Sequence, residues 1–421
     1  MIRILSIETS CDETALSVVE ADGGTLTPVF KVLGNALSSQ ADIHAEFGGV
    51  FPSVAKREHG KIIVELMGRV LTEANILSMG KIEGKRKEEA LEYMNREGEA
   101  QENLSYFFEN YGVPKIDLIC VTSGPGLTPA LWVGVSLAKA LSVAWQKPVV
   151  PVNHMEGHIV SVLLQMDENT KKIKNTGSTA EVEIKKYKMP TIAFPAIALL
   201  VSGGHTELHE VKTWNNYKLL GATKDDAIGE AFDKTARLLG LPYPGGPKIS
   251  AFAKEARDNN EVVDKKIADK IEFPRPMLTT KDFNFSYSGL KTSVLYLVRD
   301  LKAKHTNGEL DDKTKRIIAR AFEDAALEVI ITKTIRAASE KRAKSIIVGG
   351  GVSANNRLRE LLTSETKKQL PKVEVIFPER ELSTDNSLMI AMAGYFTYLR
   401  NNKRGVDISK INAVGNLKIE Q

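Results

Sequence analysis

The sequence predicts two α/β domains, each built on a mixed sheet, with a cleft between them. Three observations predict this. A strand–turn–strand–strand unit followed by helices and further strands occurs twice along the chain. Apolar runs such as IDLICVTSGPGL and KSIIVGGGVSANN end in glycine-rich turns that lead into helical segments. The 421 residues exceed one ordinary domain, and 43% hydrophobic with 26% charged residues is the balance of a globular chain.

The elements follow in order. RILSIETSCDETALSVVEADGG reads as strand, tight polar turn, strand and Gly-Gly turn, and LTPVFKVLGNALSS is a third strand. Ile63, Leu66, Met67, Val70, Leu71, Ala74 and Leu77 recur at helical spacing. IDLICVTSGPGL is a buried strand, TPALWVGVSLAKALSVAW a helix, KPVVPVNH a strand and HMEGHIVSVLLQ a helix. The second unit begins near Pro190 with PAIALLVSGGHTELHEV and YKLLGATK, again strand, glycine turn, strands. A long amphipathic helix over about 313–340 precedes KSIIVGGGVSANNRLRELL, then the strand VEVIFP and a final helix over about 386–400. The expected division is 1–164, completed by 386–421, then 190–385, with 165–189 a polar insertion or linker. Similarity between the halves lies in the pattern and hardly at all in the letters.

Two stretches break the pattern. Residues 80–104 are dense in charge, and 166–189 are polar without apolar periodicity. Both read as solvated, partly disordered insertions. The alternative for the second is a basic flap that touches RNA through Lys171, Lys172 and Lys174.

The net charge of +4 permits a nucleic-acid partner without requiring one. Cys11 and Cys120 are the only cysteines, too few for a disulfide framework or a cysteine zinc site, which points to a reducing compartment. Met1 runs straight into a strand, and no apolar run approaches membrane-spanning length. The expectation is a cytoplasmic protein with no membrane partner.

Several motifs carry chemistry. In His154-Met155-Glu156-Gly157-His158 the two histidines lie four apart on one helical face and can reach one divalent ion. Glu156 lies about 200° round the axis from His154 and points elsewhere, unlike the glutamate of a zinc protease. Asp385, in STDNS before the last helix, is the candidate third ligand. Two histidines and a carboxylate suit Fe(II) or zinc. Val201-Ser202-Gly203-Gly204-His205-Thr206 is a glycine turn whose N–H groups can cradle a phosphate. Ile7 to Thr14 forms the equivalent turn of the first unit, with hydroxyls for phosphate and carboxylates for a cation. Gly349 to Asn355 opens a helix, where the backbone allows a flat ligand to lie close and Asn355 can read an adenine or ribose edge. Asp233 can accept from a ribose, and Tyr243-Pro244-Gly245-Gly246-Pro247 offers bare backbone beneath a base. Each of these turns alone is more often an ordinary turn or cap. Lys56 and Arg57, beside His59 at a helix start, are candidate phosphate contacts for RNA.

Taken in order, ETSCDET, GGVFPSVAKREH, SGPGL, NHMEGH, LVSGGHT, DDAIGEAFDKTARLLGLPYPGGP, FSYSGLKTS, GGGVSANNRLR and STDN closely resemble the universal tRNA threonylcarbamoyltransferase family, TsaD in bacteria. These motifs run from residue 8 to residue 386, and only the two polar stretches fall outside. The resemblance implies an actin-like ATPase (ASKHA) fold: two RNase H-like domains with a central nucleotide and metal cleft. It implies that His154, His158 and Asp385 are metal ligands, with Fe(II) first and zinc or magnesium next. Leu200, Val201, Ser202, Gly203 and Gly204 match the phosphate loop, and Asp233, Gly246 and Asn355 match adenosine-binding positions. Asp12 and Glu13 match acidic catalytic residues. The nucleotide site would take ATP, ADP or threonylcarbamoyl-AMP. The implied reaction moves a threonylcarbamoyl group from threonylcarbamoyl-AMP to N6 of the adenosine 3′ of the anticodon in ANN-decoding tRNA. The implied partners are an inactive paralogue (TsaB-like) and a small P-loop ATPase (TsaE-like). Two other readings stand beside this acyltransferase: a small-molecule O-carbamoyltransferase, and a metalloprotease acting on glycoproteins, disfavoured by the position of Glu156.

Overall fold

The computed structural model of the chain describes residues 1–25, 28–167, 171–174, 181–189, 192–214, 216–261, 271–303 and 309–419, with backbone alone at 171–174 and 181–184. The chain divides into two units. One holds Met1–Gln40, Val50–Thr191 and Thr384–Ile419; the other holds Ala41–Gly49, Ile192–Ser383 and Glu420–Gln421.

The first unit starts with β1 (Ile2–Glu8), β2 (Glu13–Asp22) and β3 (Val29–Ser39). α1 (Ala41–Glu46) belongs to the other unit. Then come α2 (Pro52–Glu73), α3 (Lys85–Glu92), α4 (Gly98–Asn110), β4 (Leu118–Gly124), α5 (Thr128–Trp145), β5 (Val149–Asn153) and α6 (His154–Ser161). The short strands β6 (Gln165–Met166), β7 (Lys171–Lys174), β8 (Glu181–Ile184) and β9 (Lys186–Lys188) follow. The second unit contains β10 (Ala196–Val201), β11 (Thr206–Thr213), β12 (Asn216–Ala222), α7 (Ile228–Leu238), α8 (Gly245–Asp258), α9 (Ser288–Lys302), α10 (Asp312–Glu340), β13 (Ser345–Gly349), α11 (Asn356–Gln369) and β14 (Glu374–Ile376). The chain then returns to the first unit as α12 (Ser387–Arg400).

The same sheet is built twice. The first has the order β5-β4-β1-β2-β3, extended at its edge by β9 and β6, and the second has the order β12-β11-β10-β13-β14. In each, the first strand pairs antiparallel with the second and parallel with the fourth. The central strands are covered on both faces. LICVTSG of β4 and AIALLV of β10 are buried at every position, which is why they read as continuous apolar runs. α2 lays Ile63, Leu66, Met67, Val70 and Leu71 against the first sheet. α12 returns to that unit because Tyr395 and Phe396 pack edge-on against Phe30 of β3, with ring centroids 5.6 and 6.3 Å away. Each such buried ring contributes about 2 kcal/mol.

Two expectations need correction. Residues 80–104 are not a loose solvated insertion. They contain α3 and most of α4, and Ile82, Ala90, Met94, Ala100 and Leu104 are buried in the first unit's core. Their charges lie on the outer faces of short helices whose inner faces are narrow. Residues 165–189 are not only a linker: β9 pairs with β3 and β6 with β9, and the Tyr187 side chain is buried. The side chains of Lys171, Lys172 and Lys174, proposed for an RNA flap, lie outside the described residues.

Beyond α12 the chain runs back along the first sheet. Val406 N–H donates to Val149 O (2.9 Å), Val414 N–H to Ser123 O (2.8 Å), and Gly126 N–H to Gly415 O (3.1 Å). This strap holds the Ser123–Gly126 turn beside the start of α6, where Asn153 Nδ2 reaches Leu417 O (3.5 Å). Among the described residues no helix is long and apolar enough to cross a membrane.

Candidate functional site

β5 delivers the chain to α6, and Asn153 caps that helix by accepting from the N–H groups of Met155 (2.9 Å) and Glu156 (3.3 Å). The cap sets the helical phase from its first residue, so His154 and His158 share a face. Their rings stand edge to face, 4.7 Å apart between centroids. Asp385 comes from the turn before α12, held by Asn386, which caps that helix at Met389 N (3.0 Å). Nε2 of His154 and Nε2 of His158 lie 3.4 and 3.1 Å from Asp385 Oδ1. One ligand atom from each of the three residues falls within 4.8 Å of the others, and both histidines are buried. Glu156 is no member of this group.

Glu8, at the end of β1, accepts from Ser10 N–H (2.6 Å) and the Thr122 hydroxyl (2.6 Å), and faces His154 Nδ1 at 3.1 Å. Ser10 Oγ lies 3.2 Å from the same nitrogen. Burial alone would lower the His154 pKa, but the Asp385 and Glu8 carboxylates override it and push it well above the usual histidine range. Burial would raise Asp385, yet the two histidines hold it well below the usual carboxylate range. Burial and the neighbouring Asp12 and Asp385 push Glu13 up to about 10. A site that confines this much carboxylate, with two imidazole nitrogens aimed at one carboxylate oxygen, fits a divalent cation by its donor chemistry. Borderline nitrogen donors with one hard oxygen suit Fe(II) or zinc ahead of magnesium.

His59, on α2, steadies the turn that carries Asp12 and Glu13. Its Nε2 lies 3.0 Å from the Cys11 carbonyl, which can only accept, so Nε2 carries a proton; Nδ1 meets the Thr14 hydroxyl at 2.7 Å. Lys56, expected to face RNA, is otherwise engaged: it bonds Arg96 O (3.1 Å) and pairs with the buried Glu97 (3.4 Å), tying α2 to the 80–104 segment. Arg57 is exposed and pairs with Glu58 at 2.9 Å.

The expected nucleotide residues all lie in the second unit. Leu200 and Val201 are buried strand residues, so only their backbone can meet a ligand. The turn after them closes through Ser202 N–H to His205 O (2.9 Å), leaving Gly203 and Gly204 exposed, with open space where side chains would be. Two other glycines let backbone close around this turn. A Cβ on Gly229 would stand 2.5 Å from Ser202 O, and one on Gly350 (φ 88°) 2.5 Å from Val201 O. The start of α7 and the triple-glycine turn after β13 therefore both abut the 201–202 backbone. Asp233 of α7 accepts from Gly245 N (2.7 Å) and Gly246 N (3.2 Å), pinning the start of α8. Asn355 acts first as a helix cap. Its Oδ1 accepts from Leu358 N (2.9 Å), and its Nδ2 donates to Ser250 Oγ and Glu323 Oε1, both at 2.9 Å. Both amide protons are thus in use, and the side chain contributes mainly order to this turn.

Four residues take supporting roles that the sequence reading did not assign to them: Glu8, His59, Glu323 and Asp225. Asp225 accepts from Ser286 Oγ (2.5 Å), Tyr287 N (2.7 Å), Ser288 N (3.2 Å) and Ser288 Oγ (2.6 Å), which gives the FSYSGLKTS loop its place in the second unit. The signal for the role of Glu8 is a carboxylate that closes a strand, IRILSIE, whose last five residues are buried.

Two sheets of one topology, the first carrying a buried His–His–Asp group and the second a glycine-lined turn, define an α/β protein of the actin-like kind. Within that class the chain belongs to the tRNA N6-adenosine threonylcarbamoyltransferase family, TsaD, whose model matches residues 31–83, 107–172 and 178–392. The chain is similar to the tRNA N6-adenosine threonylcarbamoyltransferase of Thermosipho africanus, 38% identical over 417 residues and 99% of each chain. It is similar to that of Burkholderia mallei, 39% identical over 391 residues, covering 93% of this chain and 91% of the relative. The same holds for that of an Anaeromyxobacter species, 38% identical over 407 residues, covering 97% and 98%.

Proposed function

We propose that the protein transfers a threonylcarbamoyl group from threonylcarbamoyl-AMP to N6 of the adenosine 3′ of the anticodon in ANN-decoding tRNA. The observation that carries this reading is the family match along most of the chain. The donor is a mixed anhydride and already activated. N6 attacks the carbamoyl carbon, the carbon–oxygen bond to the phosphate breaks, AMP leaves with the electron pair, and N6 gives up a proton. The protein must hold the two reactants and stabilise the developing oxyanion. Ser202, Gly203 and Gly204 would hold phosphate through the backbone, with Asp233, Gly246 and Asn355 ordering the adenosine subsite. His154, His158 and Asp385 would hold the ion, which when bound supplies Lewis-acid polarisation of the acyl group. Glu13, whose carboxyl burial and the neighbouring Asp12 push up, would donate a hydrogen bond, and Asp12 beside it would accept the proton lost from N6.

The partners that fit this reading are an inactive paralogue and a small P-loop ATPase. Cys11 and Cys120 are both unpaired, in keeping with a cytoplasmic enzyme. The test is complementation of a bacterium depleted of its own transferase. Expression of this chain should restore threonylcarbamoyladenosine in bulk tRNA. Unmodified tRNA despite stable expression, with the partners of the chain's own source co-expressed, would refute the proposal.

A further inference from the structure

Glu8 has no exposed surface, and a carboxylate in that position is costly unless its oxygens are filled. Here they are filled unevenly. Oε1 takes Ser10 N–H, while Oε2 takes the Thr122 hydroxyl and faces His154 Nδ1 at 3.1 Å. A deprotonated carboxylate only accepts, so the proton on that side of the imidazole belongs to Nδ1. That assignment leaves Nε2, the nitrogen 3.4 Å from Asp385 Oδ1, with its lone pair directed at Asp385 and His158 whenever the ring is neutral. Glu8 is also rigidly placed. It ends β1, which is flanked by β2 and β4, and Thr122 sits on the neighbouring β4.

We propose that Glu8 is a positioning residue for the metal site: by accepting from His154 Nδ1–H it fixes the tautomer and orientation in which His154 binds an ion through Nε2. The inference rests on the metal reading of His154, His158 and Asp385, and its test separates the two. Glutamine cannot replace Glu8 without conflict, because whichever way the amide is turned, an NH2 group meets either Ser10 N–H or the Thr122–His154 pair. An outer partner of this kind changes metal affinity by about 10- to 100-fold.

The experiment titrates Zn²⁺ into metal-free full-length protein by calorimetry, for the wild type, Glu8→Gln, Thr122→Val and His154→Ala. Imidazole nitrogen NMR of the zinc-loaded protein is recorded alongside. Glu8→Gln should bind zinc about 10- to 100-fold more weakly while keeping the wild-type circular dichroism spectrum, and in the zinc-loaded variant the His154 Nδ1–H signal should be displaced from its wild-type position. His154→Ala should lose the site. Thr122→Val removes one bond to Oε2 without opening the site, and should weaken zinc by a smaller factor; it decides the matter if Glu8→Gln does not fold. Wild-type affinity in Glu8→Gln or, failing that variant, in Thr122→Val, with binding lost in His154→Ala, overturns the role of Glu8 alone. Wild-type affinity in His154→Ala overturns the metal reading itself.

Discussion

Asp385 Oδ1 is the atom on which both histidine Nε2 atoms converge, at 3.4 and 3.1 Å. Asp385→Asn keeps the shape of that side chain and removes its charge. We expect the variant to retain a native circular dichroism spectrum and to lose at least about tenfold in divalent-ion affinity, read as metal content after dialysis against a fixed free concentration. Full metal occupancy in the variant would remove Asp385 from the ligand set. Legibility at this scale followed chemistry. Histidines at four-residue spacing on a helix are a local pattern, visible without a fold. Glu8 was visible as one of the first turn's carboxylates, but its role was not, because its partners Thr122 and His154 are more than a hundred residues away and come together through the parallel pairing of β1 with β4 and of β4 with β5. Asn355 was visible as a polar residue at a glycine turn, but its commitment to Ser250, Glu323 and Leu358 N depended on where α8 and α10 pack.

Among the elements, the loop between Ala222 and α7 shows how a single carboxylate orders distant backbone. Burial would raise the Asp225 pKa, but bonds from the hydroxyls of Ser286 and Ser288 and the N–H groups of Tyr287 and Ser288 hold it below the ordinary value of 3.8. A carboxylate lowered in the folded state contributes stability above its unfolded pKa, and that contribution is lost as pH falls through the lowered folded value. The second unit should therefore lose stability in acid, starting near pH 3.8. Asp225→Asn should be less stable at neutral pH and show a flatter decline from about pH 4 to about pH 2, measured as thermal midpoint against pH. A parallel decline in wild type and variant would contradict the assignment. The helices of 80–104 show why an element can hide from a sequence reading. Ala90 and Met94, then Ala100 and Leu104, are two short apolar pairs four residues apart, each too brief to register against the surrounding charge.

For the whole molecule, the repeated strand–turn–strand–strand unit was legible because turn chemistry and apolar runs mark strands in sequence, while the order of strands in each sheet was not. The return of α12 to the first unit has no local signal in the sequence; physically it rests on Phe30 meeting Tyr395 and Phe396 across more than three hundred residues. The edge strands β6 and β9 escaped because a strand of two or three residues carries no periodicity. The central claim, that this chain transfers a threonylcarbamoyl group to tRNA, is tested most directly by mass analysis of nucleosides. The purified protein is incubated with its partners, unmodified ANN-decoding tRNA and threonylcarbamoyl-AMP, beside the His154→Ala variant. The account predicts threonylcarbamoyladenosine in the wild-type digest and none with the variant. An unmodified digest from wild-type protein, with partners shown to be active in a parallel reaction, would contradict it.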